Sequence, residues 1–194
     1  GAVLQEAGTL TVVASEIRRN YSTVGWTLDQ PGPAVDNAGI NQVAGTMVVV
    51  NSSVAEHLTD TNHPVCVPRP FGTVCAPVHV YFNGSGGLAR GSATIVTSRF
   101  HGQVVDTTGP GGITVGGSIF GRCPTVTTSW GYNQVPVSCA PLGGPGDTTV
   151  AVSPVDLIPV GTTYLCDGSF PVDQVGTLRP QGAACDAGPI EAPA

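Results

Sequence analysis

Lysine is absent from this 194-residue chain, and all seven of its basic residues are arginine. The absence excludes chemistry that needs a lysine amine, including Schiff-base catalysis and nucleotide binding of the P-loop type. Charged residues make up only 10% of the chain, well below the share in an average soluble domain. With a net charge of −6 and scattered arginines, the chain lacks a clustered basic surface, so we expect no nucleic-acid partner.

Long apolar runs are also missing. The longest of them, such as Met47–Val50, is far shorter than the ~20 apolar residues that a membrane-spanning helix needs. We therefore expect no transmembrane segment. Apolar residues nevertheless make up 41% of the chain, which is enough to build a core and argues against wholesale disorder.

The cysteines are even in number and lack the CxxC spacing of zinc ribbons and thioredoxin-type sites. Six cysteines in a chain with few charges and much glycine, proline and threonine are typical of a secreted protein with a disulfide framework. We therefore predict a secreted, extracellular or cell-surface location. We also predict that the disulfides close short loops, with pairing Cys66–Cys75, Cys123–Cys139 and Cys166–Cys185.

Short β-branched segments of alternating polarity recur along the chain, as at Thr9–Val13 and Thr148–Val152. The clearest predicts a hairpin over Val74–Gly102 that turns at Asn83–Gly87, since these residues tolerate the positive φ angles of tight turns. One capping box, which begins at Ser53, predicts at most one short helix near 53–59.

These elements predict an all-β fold in a single domain that spans residues 1–194. Turn-separated short strands are typical of a β-sandwich of the immunoglobulin-like or jelly-roll type, here stabilised by disulfides. Weak patterning predicts a flexible N-terminal arm at 1–8 and a loose C-terminal tail at 186–194. One pattern, AGT(L/M)xVV, begins at both Ala7 and Ala44; either an internal duplication or two strands of one composition explains it.

A possible binding face lies at Trp130, Tyr132, Asn133 and Gln134. Aromatic rings beside side-chain amides suit the apolar face and the hydroxyl rim of a sugar. The absence of lysine and the abundance of threonine and glycine resemble the composition of carbohydrate-binding β-modules, which are lysine-poor. Trp130 also alternates with Val126, however, and the same pattern is typical of a core residue.

The histidines are the candidate metal ligands. His57 and His63 lie in one polar segment, and His79 and His101 flank the predicted hairpin and would approach that segment in space. Imidazole and carboxylate suit zinc or copper, but the spacing matches no established metal motif.

Three N-x-S sequons, at Asn20, Asn51 and Asn83, are candidates for N-glycosylation. All three fall at predicted turns or strand ends, where a glycan can be carried.

Taken together, these features predict a structural or adhesive β-protein that is not an enzyme and has no cofactor. A specific version is a pilus-like filament subunit whose N-terminal arm adds a strand to the sheet edge of a neighbouring copy. Two alternatives stay open: a carbohydrate-binding module that uses Trp130 and Tyr132, and a secreted metal-dependent enzyme that uses His57 and His63. The expected partners are other copies of the chain and a polysaccharide or cell-surface ligand.

Overall fold

In the computed structural model the chain winds in successive turns, and short strands of neighbouring turns pair in parallel. The structure describes the following residues: 3–18, 21–23, 40–42, 44–55, 57–69, 72–84, 87–89, 91–101, 104–106, 112–149 and 157–193. At residues 4, 21–23, 41, 57–69, 72–84, 87–89 and 104–106 the description is of the backbone. All regular elements in this part of the chain are strands, and it contains no helix able to cross a membrane.

Each turn of the chain, here called a coil, contributes its strands in the same order. Coil 1 contains β1 (Val3–Gln5), β2 (Thr9–Val13), β3 (Glu16–Arg18) and β4 (Tyr21–Thr23). Coil 2 contains β5 (Ile40–Gln42), β6 (Thr46–Val50) and β7 (Ser53–Ala55), followed by β8 (His57–Arg69) and β9 (Gly72–Gly84). Coil 3 contains β10 (Gly87–Ala89), β11 (Ser92–Val96) and β12 (Arg99–Phe100), and coil 4 contains β13 (Val104–Asp106), β14 (Ile113–Gly116) and β15 (Ile119–Phe120). Then follow β16 (Thr128–Gly131), β17 (Ile158–Pro159) and β18 (Ala184–Cys185).

Equivalent strands of successive coils pair in parallel and form three sheets. Sheet A has the order β1-β5-β10-β13, sheet B the order β16-β14-β11-β6-β2, and sheet C the order β15-β12-β7-β3. The register aligns Thr9–Val13 with Thr46–Val50 residue by residue, so the two AGT(L/M)xVV segments occupy equivalent positions in adjacent coils. This arrangement is a parallel β-solenoid, in which each coil buries its apolar face against its neighbours.

The prediction of an antiparallel β-sandwich was therefore wrong. All strand pairs within the three sheets are parallel, whereas sandwiches are built from antiparallel strands. Residues 53–55 form β7, so the helix near 53–59 was wrong as well. Val54 is fully buried between the equivalent strands of its sheet, and the Ser53 N–H donates to Ser15 O in the neighbouring coil (2.9 Å).

The antiparallel hairpin also lies elsewhere than predicted. β8 and β9 pair over thirteen residues each, from His57 opposite Gly84 to Arg69 opposite Gly72. β11 instead pairs in parallel with β6 and β14. Asn83 and Gly84 of the predicted turn instead end β9, and residues 57–69 supply the partner strand of β9.

A ladder of serines occupies the corner between sheets B and C. Backbone N–H groups of Ser15, Ser52 and Ser98 each donate to the hydroxyl of the serine in the next coil (3.1–3.2 Å). At the end of the ladder, the N–H of Ser118 donates to Asn133 Oδ1 (3.0 Å). The ladder satisfies the corner N–H groups, which would otherwise be buried without partners.

Two apolar clusters stabilise the stack. The interior cluster includes Met47, Val49 and Ile95 from sheet B, and its Phe100 and Phe120 rings stack at 6.2 Å. The outer cluster forms where the C-terminal segment, residues 157–193, packs on the outside of sheet B. In this cluster, Ile158 and Leu165 of the segment cover Val50 and Val96 of the sheet.

Candidate binding face

An aromatic pair marks the place where the C-terminal segment meets β16. The rings of Trp130 and Tyr164 stack with centroids 5.3 Å apart and an interplanar angle of 27°. Gly116 makes room for Trp130 and Leu165, since a Cβ there would lie 2.7 Å from Leu165 Cδ2 and 3.1 Å from Trp130 Cβ. Trp130 is half-buried against the outer cluster, while Tyr164 is 52% exposed. The outer face of the Tyr164 ring is therefore a platform backed by Trp130.

Asp167 holds Tyr164 in an unusual backbone conformation. Tyr164 has a φ of +62°, which is uncommon for a residue other than glycine and costs conformational energy. The Asp167 carboxylate compensates by accepting the N–H groups of Tyr164 and Ser169, both at 2.9 Å. Hydrogen bonds from the Ser169 side chain and from these N–H groups lower the pKa of Asp167 to about 2. The platform thus carries a fixed negative charge at its base.

The other residues predicted for this face have different positions. Tyr132 is half-buried with φ +57°, and its N–H donates to Pro145 O (2.8 Å). Asn133 is fully buried and its side-chain amide donates to Asp147 Oδ1 (2.9 Å). Gln134 is also buried and its N–H donates to Ser118 O. Trp130 and Tyr132 both border the outer cluster, whereas Asn133 and Gln134 complete the end of the solenoid.

A buried group of charges fastens the C-terminal segment. Arg179 Nε lies 3.1 Å from Glu191 Oε2, with 2% and 1% of the two side chains exposed. Burial lowers the pKa of Arg179, and the carboxylates of Glu191, Asp186 and Asp173 oppose that shift. The guanidinium also donates to Gly188 O and to Asn51 Oδ1 (3.1 and 3.3 Å). Arg179 thereby links its own segment to the corner of coil 2.

Asp173 is buried beside this group, yet its pKa lies below the ordinary value. Burial raises the pKa of the carboxylate, but hydrogen bonds from the N–H groups of Glu191, Thr177 and Val175 outweigh burial. These bonds measure 2.9, 2.7 and 2.8 Å. The folded segment therefore favours the ionised carboxylate over the protonated one.

We expect the C-terminal segment to become less stable at acidic pH. A depressed pKa contributes stability that is present above the unfolded pKa of about 3.9 and is lost as the pH falls through the folded value. Urea titrations at pH 7, 5 and 3 should show a falling midpoint below about pH 4. Asp173→Asn should remove part of that acid dependence, since Asp167 of the same segment also has a lowered pKa, while Glu16→Gln, at an exposed carboxylate, should retain all of it. An unchanged pH profile in Asp173→Asn would contradict this assignment.

The backbone register separates the candidate metal ligands. His63 and His79 lie in adjacent pairs of the hairpin, whereas His57 lies five pairs from His79, roughly 17 Å at the rise of a β-strand. His101 is exposed just after β12 and its N–H donates to Val54 O. Within the described residues no group of three or more potential ligands converges on one point. The histidine metal site stays a prediction.

Two predicted disulfides are confirmed, Cys123–Cys139 and Cys166–Cys185. They indicate an oxidising environment. Cys66 lies opposite Cys75 in the hairpin register, and their pairing stays a prediction.

The sequons differ in their positions. Asn20 lies outside the described residues, and Asn83 is in β9. Asn51 is 2% exposed and its amide donates to Val172 O, so a glycan on that nitrogen would displace a contact of the C-terminal segment.

Sequence reasoning missed Tyr164 and Arg179. Neither belongs to a motif, and Tyr164 lies 34 positions after Trp130 along the chain. The only signal for Arg179 was that it is the sole basic residue of its segment, 157–193. No protein-family model, curated protein or solved structure matches this chain.

Proposed function

We propose that this protein is an extracellular adhesive solenoid that binds polysaccharide through the Trp130–Tyr164 pair. The observation that carries the proposal is the exposed Tyr164 ring, which stacks on Trp130 and is held at a positive φ. Residues held in strained backbone conformations cluster at functional sites. The two disulfides support an extracellular location.

The chemistry of the platform suits a neutral sugar. An aromatic face packs against the C–H groups on one side of a pyranose ring, and the sugar hydroxyls remain at the rim. The nearby Asp167 carboxylate has further lone pairs that accept hydrogen bonds from hydroxyls. A fixed negative charge and a net charge of −6 disfavour polyanionic glycans.

Pull-down on insoluble cellulose, chitin and β-1,3-glucan tests the proposal. The native protein should be retained by at least one of these solids, and Tyr164→Ala should weaken retention about tenfold or more, as truncation of a central aromatic does. Tyr164→Phe, which keeps the ring, should bind normally. Val175→Ala, at a residue 70% exposed in the same segment, is the matched control. Equal retention of Tyr164→Ala and the native protein would refute the assignment.

Self-association through the N-terminal strands is a second proposal. β1, β2 and β3 are each the end strand of their sheet, and end strands are ready templates for pairing with another chain. At the other end, Cys139 and Leu142 pack over the interior cluster. This asymmetry favours pairing of two N-terminal coils over an open filament.

A further inference from the structure

Two rows of side chains run across the outer face of sheet B, perpendicular to its strands. The strand register aligns one row as Thr9, Thr46 and Ser92. It aligns the second as Thr11, Val48, Thr94, Thr114 and Thr128. All but one of these eight side chains carry a hydroxyl. Their inward neighbours, such as Ala93 and Ile95, belong to the interior cluster, so strand alternation directs the rows outward.

The rows are accessible. Thr9, Thr11, Thr46, Ser92 and Thr128 are exposed, Thr94 and Thr114 are half-buried, and Val48 is half-buried against the edge of the outer cluster. No ionisable side chain belongs to either row. Threonine has a stiff χ1 because it is β-branched, so its hydroxyl is held in place, and it both donates and accepts hydrogen bonds.

We infer that these rows bind the flat surface of an insoluble, neutral polysaccharide, an inference that rests on the proposed function and extends its site. The rows are continuous with the aromatic platform, because Thr128 ends the second row and lies on β16 beside Trp130. Neighbouring strands repeat at about 4.8 Å, which is comparable to the advance per ring in an extended glycan chain. A neutral array of donors and acceptors complements sugar hydroxyls, which have the same dual character.

The inference assigns two parts to the binding surface. The platform at Tyr164 stacks on a single ring and binds a short soluble oligosaccharide as well as a solid. The hydroxyl rows need several aligned rings or chains, since each contact is weak and only their sum over the rows is appreciable. Removing hydroxyls should therefore weaken binding to the solid and spare binding to a soluble fragment.

The experiment compares adsorption to microcrystalline cellulose and to chitin with calorimetric binding of cellohexaose and chitohexaose. The variant Thr94→Val with Thr114→Val keeps side-chain volume and β propensity while it removes two adjacent hydroxyls. Its adsorption to the solid should fall about 25-fold, since each of the two lost hydrogen bonds is worth a factor of about five, with hexasaccharide binding unchanged. The reciprocal variant Val48→Thr gives up an apolar contact with the outer cluster but completes the second row, and it should strengthen adsorption. Glu16→Gln, on the outside of sheet C, is the control.

The outcomes separate the two proposals. Adsorption of the double variant equal to that of the native protein overturns the hydroxyl rows and leaves the platform standing. A native protein that binds neither solid nor hexasaccharide overturns both. Equal loss of solid and hexasaccharide binding also overturns the rows as a distinct surface. Thermal unfolding of each variant identifies any loss or gain of adsorption that comes from misfolding.

Discussion

Arg179→Met is expected to lower the free energy of unfolding by about 3–5 kcal/mol, because it removes the cation and leaves carboxylates buried without it. Glu191 and Arg179 are both almost fully excluded from solvent, and Asp173 and Asp186 are buried nearby. The substitution also removes the guanidinium donors to Gly188 O and Asn51 Oδ1. The C-terminal segment should therefore detach from the solenoid before the coils unfold.

Urea denaturation followed by tryptophan fluorescence measures this effect, since Trp130 stacks on Tyr164 of the detaching segment. Arg99→Met is the matched control because Arg99 is exposed, and an exposed substitution usually changes stability by less than about 0.5 kcal/mol. The loss of stability in Arg179→Lys should lie between those of Arg179→Met and Arg99→Met, because an ammonium keeps the charge without the planar fork of donors. A loss below about 1 kcal/mol in Arg179→Met would contradict the role assigned to the buried charges.

Gly45→Ala is expected to destabilise the solenoid by more than about 3 kcal/mol, through backbone strain combined with overlap between coils. Gly45 has a φ of +94°, and a Cβ at this position would overlap the carbonyl oxygen of Gly8 in the preceding coil. That carbonyl accepts the N–H of Thr46 (2.9 Å). Relief of the overlap would therefore pull apart the bonds that start the pairing of β2 with β6.

Gly143→Ala separates the two causes. Gly143 has a similar φ of +88°, but nothing lies within 4 Å of a Cβ built there. Gly143→Ala should therefore lower the free energy of unfolding by the backbone strain alone, about 1–2 kcal/mol. The difference between the two midpoints in urea measures the cost of separating adjacent coils. Equal destabilisation of the two variants would show that coil-to-coil contact at Gly45 is not tight.

Several features of the fold could be predicted from local sequence. The strand at Thr9–Val13 alternates as expected, and spacing alone predicted Cys123–Cys139 and Cys166–Cys185 correctly. The AGT(L/M)xVV pattern was the one signal of stacked coils, since its glycines and valines occupy equivalent positions in coils 1 and 2. The pattern was too short to exclude two unrelated strands.

The candidate site shows the limit of local patterns. Trp130 was identified, but the residue stacked on it was not, because the contact depends on how the C-terminal segment returns to sheet B. Asn133 and Gln134 were grouped with Trp130 by proximity in sequence. A bulge after Val115 in the pairing of β14 with β16 and the positive φ of Tyr132 send these neighbours in different directions.

The sequence by itself determined that the chain is built of short strands, carries few charges and closes short disulfide loops, because these properties follow from composition and from contacts between nearby residues. Only the tertiary structure decided that the strands pair in parallel, that serines at 15, 52, 98 and 118 form one ladder, and that Tyr164 meets Trp130. The physical reason is that alternation of polar and apolar residues marks which face of a strand is buried but carries no information about its partner. Partners and their direction come from long-range packing of whole coils.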